Sequence, residues 1–144
     1  MSLGNVFDIA GSAMSAQTVR LNTTASNMAN AESVSSSAGE TYRARKPVFE
    51  LKQTDNLQPG GIPMGTQAGQ GVAISGIVES DAPLRQEYNP DHPMADENGY
   101  VYYPNVNVVE EMADMISASR SFQINAEIMN TAKQMMQKAL TLGQ

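Results

Sequence analysis

The sequence predicts an α+β chain in which two long terminal helices pair as a coiled-coil-like unit around a small β-rich insert. Three observations carry this. Apolar residues recur at helical spacing at both ends, glycine and proline crowd into the middle, and short β-branched or aromatic runs flank that middle. The expected divisions are an N-terminal helix over 1–31, an insert over 32–104 with a flexible loop at 53–71, and a C-terminal helix over 105–144.

The N-terminal segment has no proline up to residue 30, and Leu3, Phe7, Ala10, Met14, Leu21 and Met28 recur in alternating steps of four and three. Gln17 and Thr24 fill the intervening slots, and Val6, Ile9, Ala13 and Ala16 widen the stripe. Such a pattern places an apolar seam along one face of a helix. Asn30 is the expected stop, since asparagine tolerates the left-handed geometry common at helix ends.

The C-terminal segment repeats the pattern through Val108, Met112, Met115, Ser119, Phe122, Ala126, Met129, Lys133, Met136 and Leu140. A second stripe of Ile128, Ala132, Met135, Ala139 and Leu142 lies beside it. Asn107 followed by Glu110 matches a capping box. Glu110, Glu111 and Asp114 suit the positive end of the helix dipole, and Lys133 and Lys138 its negative end.

In the middle, strands are expected at Val48–Lys52, Val72–Ser80, Leu84–Tyr88 and Tyr100–Tyr103, with Asn98-Gly99 as a tight-turn signal. Two helices with stripes this wide have only each other and a small β unit for cover. One antiparallel pair buries one seam and leaves the flanking stripe exposed, which marks an association surface. The residues expected to meet neighbouring helices are Leu3, Phe7, Met14, Leu21, Met28, Met112, Met115, Phe122, Met129, Met136 and Leu140. The basic cluster Arg43, Arg45 and Lys46 reads either as a solvated strand face or as an ion-pairing contact to an acidic neighbour. Glu110 and Glu111 are its candidate partners across an interface.

Composition excludes several function classes. With 9 Lys plus Arg against 15 Asp plus Glu, the net charge of −6 opposes binding to nucleic acid or to anionic lipid. No cysteine is present, so disulfides and thiolate metal sites are excluded. No apolar run spans a bilayer, and the first basic residue is Arg20, so the start lacks the charged and apolar blocks of a cleaved signal peptide. His92 stands alone in a proline-rich turn, without a nucleophile or further ligands beside it. The glycines at 60, 61, 65, 69 and 71 lack the following Lys-Ser/Thr of a phosphate cradle. The ten methionines, at helical spacing where they are densest, read as adaptable packing residues. No catalytic, metal or cofactor site is expected, and the chain is expected not to be an enzyme.

The run Ser12 to Ala31, with Asn27-Met28-Ala29-Asn30-Ala31 at its core, resembles the N-terminal signature of flagellar rod, hook and hook-associated axial proteins. Asn105-Val106-Asn107-Val108-Val109-Glu110-Glu111-Met112, continuing through Ser119-Arg120-Ser121-Phe122 to Asn130-Thr131-Ala132, resembles their second signature. Tyr42-Arg43-Ala44-Arg45, Tyr88 to Pro93, Gly99-Tyr100-Val101 and Pro104-Asn105-Val106 look like the proximal rod branch of that family. The resemblance implies a structural subunit of the periplasm-spanning basal-body rod, which transmits torque from the motor to the hook. It also implies export by the flagellar type III apparatus without a cleaved signal. The implied partners are copies of itself, other proximal and distal rod proteins, the base-ring junction protein and the surrounding bushing ring. The competing reading is a helical adaptor or secretion chaperone.

Overall fold

The computed structural model describes residues 3–52 and 71–142. The elements are α1 (Leu3–Ala29), β1 (Arg45–Leu51), β2 (Val72–Glu79), β3 (Arg85–Tyr88), β4 (Tyr100–Tyr103) and α2 (Val108–Leu142). The chain is α+β, with two separate two-stranded antiparallel sheets, β1-β2 and β3-β4. The expected loop at 53–71 lies outside the described residues except for Gly71.

Helix α1 has 27 residues and α2 has 35, which correspond to about 40 Å and 52 Å. They pack antiparallel: Asn27 meets Glu111, Arg20 meets Asp114, and Val6 lies beside the segment from Ile124 to Met135. Residues 133–142 at the end of α2 are all exposed.

The β1-β2 ribbon lies along α1, tied at both ends. Asn27 holds the start of β1 at Arg45, and the Ser12 hydroxyl accepts a hydrogen bond from Val72 N at 3.1 Å. The fifteen steps from Ser12 to Asn27 along the helix span about 22 Å, and the six steps of β1 span about 20 Å, so strand and helix are similar in length. A register shift between Val48 and Phe49 marks a bulge in the ribbon. Gly71 sits at φ +117°, and a Cβ there would run into the Ser12 hydroxyl. This glycine, expected to be part of a loose loop, is instead a buried close-approach point between β2 and α1.

The β3-β4 hairpin joins the segment between α1 and β1 through an isolated bridge between Ser35 and Tyr102. Its turn closes on Asp96, whose carboxylate accepts from Asn98 N and Tyr100 N at 2.9 and 2.8 Å. Gly99 follows at φ +82°, a geometry that favours glycine. Val101 of β4 is fully buried, and Ala31, Ala44 and Thr41 of the segment between α1 and β1 are buried as well.

Two end signals differ from expectation. Among the described residues no non-glycine has positive φ, so Asn30 does not end α1 by turning left-handed. Its side-chain amide instead donates to Ser26 O at 2.8 Å, satisfying a terminal carbonyl. At the start of α2, Asn107 Oδ1 accepts from Val109 N at 3.1 Å, but among the described residues Glu110 makes no return bond. The capping box is half formed. No basic residue falls in the last turn of α2; Lys138 lies just before it.

Candidate functional site

Two asparagines join the helices to the strands. Asn27, on the last full turn of α1, is 1% exposed. Its Nδ2 donates to Arg45 O at 2.8 Å and to Glu111 Oε1 at 3.0 Å. Its Oδ1 accepts from Arg45 N and from the Tyr42 hydroxyl, each at 2.9 Å. One side chain therefore fastens α1 to the β1 backbone, to the preceding loop and to α2. All four bonding positions of the amide are filled, which is the condition for burying it at low cost. The Tyr42 hydroxyl also lies 3.3 Å from Ser26 Oγ, and the Arg45 guanidinium lies over the Tyr42 ring.

Asn105, just ahead of α2, does the same for the other strand ends. Its Oδ1 accepts from Ala44 N at 2.8 Å, and its Nδ2 donates to Ser80 O and Ala82 O at 3.1 and 2.9 Å. Ser80 O also accepts from Arg43 Nη1 at 3.1 Å. Arg20 and Asp114 form a further link between the helices at 2.6 Å. Asp114 looked like a helix-start residue, and nothing local in the sequence points to a partner 94 positions away.

The charged residues expected to reach other subunits divide accordingly. Glu111 is 4% exposed and hydrogen-bonded to Asn27, so it lies inside the chain and cannot pair with a neighbour. Arg45 pairs within the chain with Glu79 at 3.1 Å. Lys46 and Glu110 are exposed, and Arg43 is half-buried.

The expected apolar seam is also turned. The most buried positions of α2 are Glu111, Ala118 and Ala132, one residue before the expected Met112, Ser119 and Lys133. The reason is that Glu111 and Asp114 are drawn to Asn27 and Arg20, while two alanines allow close approach. On α1 the buried positions are Ala10, Ala16, Thr23, Thr24 and Asn27. Phe7, Met14, Leu21 and Met28 are half-buried, and the Leu3 side chain lies outside the described residues. On α2, Met115 and Met129 are half-buried, whereas Met112, Phe122, Met136 and Leu140 are exposed. The buried interior of the described residues is thus mostly alanine and small polar groups, with the large apolar side chains at its margin or outside.

An apolar groove of about 430 Å³ runs between the start of α1 and the C-terminal half of α2, lined by Val6, Ile124, Ile128, Ala132 and Met135 with Glu127 and Thr131. Val48, Phe49, Leu51, Ile77 and Val78 of the ribbon are exposed as well. His92 sits in its turn with Nδ1 accepting from Met94 N at 3.0 Å. Among the described residues no three His, Asp or Glu converge on a metal position, and no helix is long and apolar enough to cross a membrane.

Comparison with known proteins places this arrangement. Residues 7–34 match the family model for flagella basal body rod protein, and residues 97–142 match that for flagellar basal body rod FlgEFG protein C-terminal. The two matched regions contain most of α1, with Asn27, and all of α2, with Glu111, the two sides of the joint just described. The flagellar basal-body rod protein FlgC of Salmonella typhimurium is 51% identical over 144 residues, all of both chains, and that of Yersinia enterocolitica is equally similar. The FlgC protein of Buchnera aphidicola subsp. Schizaphis graminum is 42% identical over the full length of both. With full-length identity at this level and both terminal signatures present, the chain belongs to the FlgC family of flagellar basal-body rod proteins.

Proposed function

We propose that the chain is a structural subunit of the flagellar basal-body rod and has no catalytic role. In this reading it polymerises with other proximal and distal rod proteins and with copies of itself into the shaft that carries torque from motor to hook. One observation carries the proposal: the interior of the described residues is mostly alanine and small polar groups, while large apolar side chains such as Val109, Ile116, Ile124 and Leu140 lie exposed along α2. Water-exposed apolar surface of this extent is stabilised by association, so neighbours complete the fold.

The finer parts of the reading follow from the same surface. The helix pair acts as a coiled-coil-like rod-core unit, and the β1-β2 ribbon and β3-β4 hairpin project from it as an insert. Phe7, Met14, Leu21, Met28, Met112, Met115, Phe122, Met129, Met136 and Leu140 supply contacts to surrounding helices, and Leu3 joins them. Exposed Lys46 and Glu110, with Arg43, supply ion pairs at the rim. The base-ring junction protein and the bushing ring are the further neighbours, in the periplasm, reached through type III export without signal cleavage.

The test is a cryo-EM map of basal bodies isolated from cells carrying this chain, paired with deletion of its gene. Density for both helices inside the rod, and loss of swimming on deletion, are expected. Basal bodies lacking the chain, or normal swimming without it, reject the reading.

A further inference from the structure

Asn98 is the one asparagine in the chain that is followed by glycine. At such a junction no Cβ hinders the next backbone nitrogen from attacking the asparagine side-chain carbonyl carbon, a reaction that makes asparagine thermolabile. Asn98 is exposed, and among the described residues its side-chain amide has no hydrogen bond. The electrophile therefore stands in water.

The attacking atom is held in the opposite way. Gly99 is buried, and its nitrogen donates to Asp96 O at 3.0 Å. Its carbonyl accepts from Asn89 N at 2.9 Å, and Asp96 N donates to Tyr100 O at 2.9 Å. The Asp96 carboxylate accepts from Asn98 N and Tyr100 N, which fixes the backbone on both sides. Base must remove the Gly99 N–H proton before the nitrogen can attack. A backbone N–H held in a closed hydrogen bond reacts only in those molecules where the bond is open. The fold thus masks the nucleophile.

We propose that Asn98-Gly99 is a site of spontaneous deamidation, suppressed by the closed β3-β4 hairpin and released when that hairpin opens. The deprotonated Gly99 nitrogen bonds to Asn98 Cγ, the bond from Cγ to the side-chain nitrogen breaks, and that nitrogen takes up the proton and leaves as ammonia. Water then opens the cyclic imide at either carbonyl, giving aspartate or isoaspartate. The sum is one water consumed and one ammonia released, with no cofactor. Isoaspartate places an extra backbone atom ahead of Gly99, and Gly99 has no slack to absorb it. Even an added Cβ there would lie 2.9 Å from Tyr88 Cε2 and 3.2 Å from Pro90 Cβ. The extra atom breaks the bond to Asp96 O or the bond from Asn89 N, and it separates Tyr88 from Tyr100, whose rings meet at 5.3 Å. A chain modified while unfolded cannot close the hairpin again, so the site records time spent unfolded.

The test ages the purified full chain in native buffer and in guanidinium chloride at the same mildly alkaline pH, with peptide mapping and isoaspartate detection at residue 98. Conversion in denaturant should centre on Asn98 and run at least about tenfold faster than in the native chain, because the native reaction draws only on the open fraction. After removal of denaturant, the aged chain should lose near-ultraviolet tyrosine signal in proportion to its isoaspartate content, whereas Asn98→Ala aged alike should recover all of its own. Equal rates in the two conditions would overturn the protection, and no conversion at Asn98 in denaturant would overturn the site. Full recovery of the signal by isoaspartate-containing chains would overturn the effect on the hairpin.

Discussion

Replacing Asn27 by alanine removes four hydrogen bonds at once and strands their partners. The two bonds to Arg45 N and O are worth about 1 kcal/mol each, and the bond to the Glu111 carboxyl, 4% exposed and with no other hydrogen bond among the described residues, about 2 kcal/mol. The Tyr42 hydroxyl retains Ser26 nearby, so its loss is about 0.5 kcal/mol. The total is about 4–5 kcal/mol, a large part of the stability of a small domain. With a urea slope of about 2 kcal/mol per molar, the unfolding midpoint followed by circular dichroism should fall by about 2 M. Asn27→Asp should lose at least as much, since it aims a second acceptor at Glu111 and at Arg45 O. A drop below about 0.5 M for either variant would refute the joint, because a truncation that matters so little cannot be breaking four bonds. A double-mutant cycle with Glu111→Leu isolates the pair: the coupling should be about 1–2 kcal/mol, and strict additivity would show that the two residues act independently.

Three other perturbations are expected to give clear outcomes. Gly99→Ala forces an L side chain to φ +82° and places its Cβ 2.9 Å from Tyr88 Cε2. The cost of about 1–3 kcal/mol should lower the thermal midpoint by several degrees, and an unchanged melt would contradict the strain. Met129→Asp puts a carboxylate on a half-buried face of α2 and should abolish rod assembly and swimming; normal swimming at normal protein level would show that this face stays in water. His92→Gln removes only the bond to Met94 N in an intermediate-exposure turn, worth under about 1 kcal/mol, so swarm expansion should match the unaltered chain. A non-motile His92→Gln strain with normal export would reveal a role that the turn geometry does not explain.

The sequence by itself determined which segments are helix and strand, because those depend on local periodicity. Steps of three and four place α1 and α2, and short β-branched or aromatic runs place β2, β3 and β4 within about a residue of their observed bounds, while β1 begins three residues before the expected Val48. Both terminal signatures were legible too, and with them the family. The spacing of apolar residues along both terminal segments gave the expectation that the stripes exceed what one helix pair can cover. The rotational setting of α2 was decided only in the tertiary structure. A wide apolar stripe shows that a face exists but not which residue points at the partner. That choice rests with Glu111 finding Asn27 across 84 positions and Asp114 finding Arg20 across 94. Gly71 was likewise unreadable, since the close approach of Ser12 of α1, which leaves no room for a Cβ there, exists only in the tertiary structure. The roles of Asn27 and Asn105 were hidden for the same reason. An amide's value comes from its partners, and those partners are set by distances in space that chain spacing does not encode.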